Sequence, residues 1–177
     1  MRQVVNLSPT DLMKVLHYAS VCYETKRISH ERNEVTNRRY ATDIDDFSMH
    51  MIGLMGEAAV CKVLGIDFHV DIHKFGDDGN DIVYNGYRIQ VKTAAKEHKR
   101  SVLYVNDIDD VASDILVGGF VSSPASVTLI GSASKSHFKR KMYEADFGYG
   151  KRDAVNEEDL RPVEAMVGFL KGAKHGD

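Results

Sequence analysis

The chain has 177 residues, 43% of them hydrophobic, and a formal net charge of −3. That length supports a sizeable core in one domain, with the apolar fraction of an ordinary globular protein. The charge excludes a globally basic nucleic-acid binder but leaves room for a local basic groove.

No apolar run approaches the ~20 residues that span a bilayer. Residues 1–6 also lack the apolar stretch of a signal peptide. The expected location is the cytoplasm, the host's if a phage encodes the chain. Cys22 and Cys61 form no CxxC or Cys/His zinc spacing. Cys61 falls on an apolar helix face and reads as a reduced structural thiol.

In chain order, Ser8, Pro9 and Asp11 announce a helix: an N-cap, a proline at the first helical position and a carboxylate near the positive end of the dipole. Leu12, Val15, Leu16 and Ala19 follow at helical spacing, which predicts a helix to about Lys26. Residues 27–45, with Arg32, Arg38 and Arg39, read as a solvated charged stretch or as an arm touching nucleic-acid backbone. Residues 47–64 predict a largely apolar helix that Gly65 stops, buried against a sheet. Glu57 stands out there between Gly56 and Ala58, because an unpaired carboxylate is costly to bury.

Residues 66–71 read as a first strand, and residues 75–80 as a turn-rich connection. Asn85-Gly86 between two apolar-rich runs is the strongest short-range signal for a type I′ hairpin. Counting outward pairs Tyr84 with Tyr87, Val83 with Arg88, Ile82 with Ile89 and Asp81 with Gln90. Alternation then places Ile82, Tyr84, Tyr87, Ile89 and Val91 on a core face, and Asp81, Arg88, Gln90 and Lys92 on the other. Residues 102–105, 114–121 and 126–130 predict three further strands, residues 134–145 a basic helix, and a last helix follows residues 156–159 and ends near Lys171, with Pro162 in its first turn.

Glu57 on a helix, Asp81 opening a strand, and Gln90-Val91-Lys92 on the paired strand resemble the PD-(D/E)XK nuclease superfamily, which includes compact phage-type nucleases and Holliday-junction resolvases. The resemblance spans about residues 47–130 and departs from the motif at Gln90, which stands where Asp or Glu is usual. It implies an α/β fold with a restriction-endonuclease-like αβββαβ core: a mixed central sheet flanked by helices. An extra N-terminal helical extension (8–45) and a C-terminal helical region (134–171) complete a single domain over 1–177. It also implies a metal-dependent DNA endonuclease.

The chemistry of phosphodiester cleavage asks for charge neutralisation and an activated water. Asp81, the Gln90 amide oxygen and the Val91 carbonyl are hard oxygen donors suited to Mg²⁺, with Mn²⁺ able to substitute. Glu57 can bind the metal directly, bind through water, or restore the charge missing at Gln90. Lys92 can orient or deprotonate the attacking water, or stabilise developing charge. Lys96, Lys99 and Arg100, and Lys135, Lys139 and Arg140, would contact DNA phosphates on either side of a cleft, or else be solvated.

His69, Asp71 and His73 share a strand face as transition-metal candidates or surface residues. Asp77 and Asp78 are candidates for a second metal, or members of an acidic turn. The expected substrate is duplex or branched DNA, and a homodimer would supply two active sites. The alternative is a non-catalytic nucleic-acid-binding or assembly protein on the same fold.

Overall fold

The computed structural model describes residues 1–31, 45–70, 80–97, 101–148 and 150–172. Its elements in order are β1 (Gln3–Asn6), α1 (Pro9–Glu31), α2 (Asp46–Leu64), β2 (Ile82–Tyr84), β3 (Tyr87–Ala94), β4 (Val102–Val105), β5 (Ile115–Ser123), β6 (Ser126–Ser134), α3 (Lys135–Lys141), β7 (Tyr143–Asp146), β8 (Lys151–Asn156), a single 3₁₀ turn (Glu157–Asp159) and α4 (Val163–Gly172). They build a mixed α/β protein with a five-stranded sheet, β1-β6-β5-β3-β2, and a three-stranded sheet, β4-β8-β7. Within the larger sheet only the β3–β5 pair is parallel.

Helix boundaries follow the capping chemistry. Ser8 and Asp11 satisfy each other at the start of α1: the Ser8 N–H donates to the Asp11 carboxylate at 2.8 Å and the Asp11 N–H to Ser8 Oγ at 3.2 Å. Asp45 caps α2 through the Ser48 N–H, and Gly65 ends it in the left-handed region at φ 75°. α1 continues to Glu31, beyond the expected end near Lys26. α2 is long and apolar enough to cross a membrane by length and composition. Here Leu54, Met55, Ala58, Ala59, Val60, Cys61 and Leu64 are buried instead, in a core shared with Ile89, Val91, Val117, Val127 and Leu129 of the larger sheet.

That core lies on one face of the larger sheet, with α2 and α4 supplying its other half. Leu116 and Ala133, on the opposite face, join Leu103, Val105 and Val155 of the smaller sheet and Phe138 of α3 in a second cluster. β3 is therefore sandwiched along much of its length.

Four expectations need correcting. Residues 66–70 form no strand. α1 holds them instead, through a Lys14–Asp67 ion pair at 2.6 Å, an edge contact of Tyr18 on the buried Phe68, and a Tyr18–His69 hydrogen bond. The basic helix expected over 134–145 is one short α3, after which residues 143–146 turn into β7. Strands β1, β7 and β8 are additions, so β4 is the one member of the smaller sheet that was expected. Finally, β5 and β6 pair antiparallel with no helix between them, which departs from the expected αβββαβ order, and α3 follows β6.

Candidate active site

The hairpin takes the counted register: Ile82 pairs with Ile89, Val83 with Arg88 and Tyr84 with Tyr87. Asn85 at φ 49° and Gly86 at φ 80° occupy the left-handed region that a type I′ turn requires. The Asn85 side-chain amide donates to the Leu170 carbonyl at 3.0 Å, tying the hairpin tip to α4.

β2 stops at Ile82, so the Asp81–Gln90 rung is replaced by a different arrangement. The Asp81 N–H donates to the Ile89 carbonyl at 3.0 Å. Its carboxylate turns to the next donor along β3: the Val91 N–H donates to Asp81 Oδ2 at an N···O distance of 2.6 Å. A side chain thus takes the place of a strand carbonyl where β2 has run out. A carboxylate offers about four acceptor positions, so this bond does not exhaust it.

β3 continues for five residues past its last rung with β2, while its other edge stays paired with β5 as far as Ala94. Gln90 and Lys92 fall in this half-paired stretch. Alternation puts both on the face of Leu116, opposite Val91 and Thr93. Lys92 is exposed. Gln90 Oε1 is buried and has no hydrogen-bond partner among the described residues. An orphaned acceptor of that kind costs free energy and would be relieved by a donor or a cation.

α2 approaches β3 from the other face. A Cβ on Gly56 would stand 1.7 Å from Thr93 Oγ1 and 3.2 Å from Val91 Cγ1, so only glycine permits this spacing. Glu57, half-buried, follows directly. It lies within electrostatic reach of Cys61 one turn along and of Cys22 on α1. Burial first, and then the Glu57 charge, pushes the Cys61 thiol up to about 12. The Cys22 thiol is raised too, mainly by burial. Glu57 therefore starts from the α2 side of the sheet and Gln90 and Lys92 from the other. They can converge only around the edge that β2 leaves uncovered.

Two residues outside the expected set bond to neighbours of the site, Asn80 and Arg88. Ser113, fully buried, donates to Asn80 Oδ1 at 3.0 Å. Asp114 accepts the Arg88 N–H at 2.9 Å, and that bond, with the Arg88 guanidinium behind it, holds its carboxyl below the usual carboxylate range. Ser113 and Asp114 precede a core strand without any motif, and only the fold brings them to Asn80 and Arg88.

The remaining candidates separate. Lys135 reaches the carbonyls of Asp109 and Val111, and Lys139 forms an ion pair with Asp109. These lysines tie α3 to the loop before β5. Arg140 donates to His137 Nδ1 at 2.9 Å, and the proton on Nε2 then faces the Asp159 carbonyl at 2.7 Å. Arg140 thus sits on a neutral partner. Lys96 is exposed beyond β3. Lys99, Arg100, Asp71, His73, Asp77, Asp78, Arg32, Arg38 and Arg39 lie outside the described residues.

Among the described residues no group of three His, Cys, Asp or Glu converges as a metal site. A Mg²⁺ held by one or two carboxylates, an amide oxygen and waters needs no such group. The donors near Val91 fit it by chemistry: a carboxylate at Asp81 and an unsatisfied buried amide oxygen at Gln90. No protein-family model, curated protein or solved structure matches this chain.

Proposed function

We propose that this protein is a divalent-metal-dependent DNA endonuclease of restriction-endonuclease-like fold, working in the cytoplasm, where Cys22 and Cys61 stay unpaired. The observation that carries the reading is the orphaned Gln90 Oε1, one residue from the Val91 N–H that Asp81 grips, with Lys92 exposed further along the same face. Asp81 and Gln90 would hold Mg²⁺ or Mn²⁺, with the Val91 carbonyl and Glu57 as further donors. When bound, the ion neutralises phosphate charge and acidifies a water.

Lys92, on a rigid strand, positions an ammonium to orient that water or to receive negative charge at the scissile phosphate. Gln90 is neutral, so the ion is held more weakly than by a second carboxylate, and Gln90→Glu should lower the metal concentration needed. Two copies would be required to cut both strands of a duplex.

The test is nicking of supercoiled plasmid and of branched DNA with Mg²⁺ or Mn²⁺. Cleavage by the wild type that Asp81→Ala and Lys92→Ala each abolish supports the reading, and cleavage that survives Asp81→Ala refutes it. Binding without cleavage in either metal favours the second reading, a non-catalytic nucleic-acid-binding or assembly protein. The commitment of Asp81 to a backbone N–H speaks for that alternative.

A further inference from the structure

We propose that the outer face of the smaller sheet is a stacking platform for single-stranded nucleic acid. Tyr104 on β4 and Tyr143 on β7 both pair with Ala154 of the central strand β8, so the three side chains share a face. Phe147, just after β7, reaches across β8 to Tyr104. Their ring centroids are 5.0 Å apart and their planes are tilted by 32°, which makes one nearly continuous aromatic ledge. Each of the three rings is a little over a third exposed, although Ala154 between the tyrosines is fully buried. The Tyr143 hydroxyl donates to Asn156 Oδ1 at 2.9 Å, which fixes the pose of its ring.

Charge separates the two faces of this sheet. Leu103 and Val155 point into the second core cluster, and by alternation the carboxylates Glu144, Asp146 and Asp153 belong to that inner side, together with Lys151, which pairs with Glu144. Among the described residues, Arg152 is the only charged strand residue on the outer side. Arg140, three residues before Tyr143, adds an exposed cation whose partner is an imidazole rather than a carboxylate.

Rigid aromatic rings on a pleated surface whose described strand residues carry no carboxylate on that side, with the Arg152 guanidinium among them, offer what unstacked bases and their phosphates need. A duplex hides its base faces and cannot use the rings. The platform does not require the metal site to be active, so the two readings stand or fall separately.

The experiment is fluorescence anisotropy of a short labelled oligo(dT), and of a duplex of equal length, with the full chain in EDTA. Oligo(dT) should bind in preference to duplex. Tyr104→Ala and Phe147→Ala should each weaken binding about tenfold, the loss of one stacked base. Tyr104→Leu, which keeps apolar bulk and guards against misfolding, should weaken it nearly as much. Absence of oligo(dT) binding overturns the proposal, as does full affinity in the leucine variant. Self-association in sedimentation that Tyr104→Ala abolishes would assign the face to a second copy of the chain and also overturn it.

Discussion

Asp81 carries two demands that substitution can separate. Its carboxylate accepts the Val91 N–H at the end of β2, which is a structural task. In the proposed chemistry it also holds a divalent ion, which needs charge. Asp81→Asn keeps an acceptor and loses the charge, whereas Asp81→Ala loses both. Both variants should lose cleavage, but only the alanine variant should lose stability, by about 1 kcal/mol for one hydrogen bond, in urea denaturation. Equal stability losses would mean that the charge itself holds the strand end.

Gly56 makes a second prediction at this scale. An added Cβ meets Thr93 Oγ1 at 1.7 Å and Thr93 Cβ at 2.9 Å, so Gly56→Ala must push α2 off β3. The expected cost is about 2 kcal/mol or more, as for other overpacked cores. Thr93→Ala removes the nearer atom and should restore part of it in the double variant, a non-additivity measurable by thermal melts.

Among the elements, the hairpin is the one whose geometry is written most directly in its residues. Gly86 at φ 80° should not tolerate a side chain, and Gly86→Ala should lower the urea midpoint with an unchanged slope, by about 1–2 kcal/mol. An unchanged midpoint would mean that the Asn85 bond to Leu170, not the turn, sets the register. This element was legible because Asn-Gly is a local signal and the strand register follows from it by counting. α2 was legible for a similar reason, since its apolar residues recur at helical spacing up to Gly65, although its cap at Asp45 was hidden in a charged stretch.

The strands β1, β7 and β8 were not. They are four to six residues long, and nothing local distinguishes Gln3–Asn6 or Tyr143–Asp146 from loop or helix. β1 and β8 exist because the distant strands β6 and β4 offer them an edge, and β7 because β8 then does. The same reason explains the site. Asp81, Gln90 and Lys92 could be grouped from the hairpin alone, but Ser113 and Asp114 reach it only through the parallel pairing of β3 with β5. Residues 66–70 were misread because their alternating pattern met α1 rather than a sheet edge.

Over the whole molecule, pH acts through a few groups at its joints. Cys61 is pushed from 9.0 to about 12 in the folded chain, chiefly by burial. A folded value above the unfolded one gives stability that is full below pH 9 and lost as pH rises towards 12. The melting temperature should therefore fall more steeply above pH 9 in wild type than in Cys61→Ala, and parallel curves would contradict it.

At the acid end, Arg2 joins β1 to the smaller sheet through Glu157, whose carboxyl it holds below the usual range. That contribution, modest because the pair is partly exposed, is lost as pH falls through the carboxylate range. β1 has a further consequence, which concerns the order of assembly rather than the finished fold. Asn6 and Ser126 lie side by side although 120 residues separate them in the chain. Of the described strands, β1 is made before the others and is thus the one that must wait longest for its partner. Until β6 is made, the apolar Val4 and Val5 have no sheet to join, and once β6 forms it presents a bare edge until β1 arrives. Whatever holds that segment apart from other chains during synthesis governs how much of this protein reaches its native state.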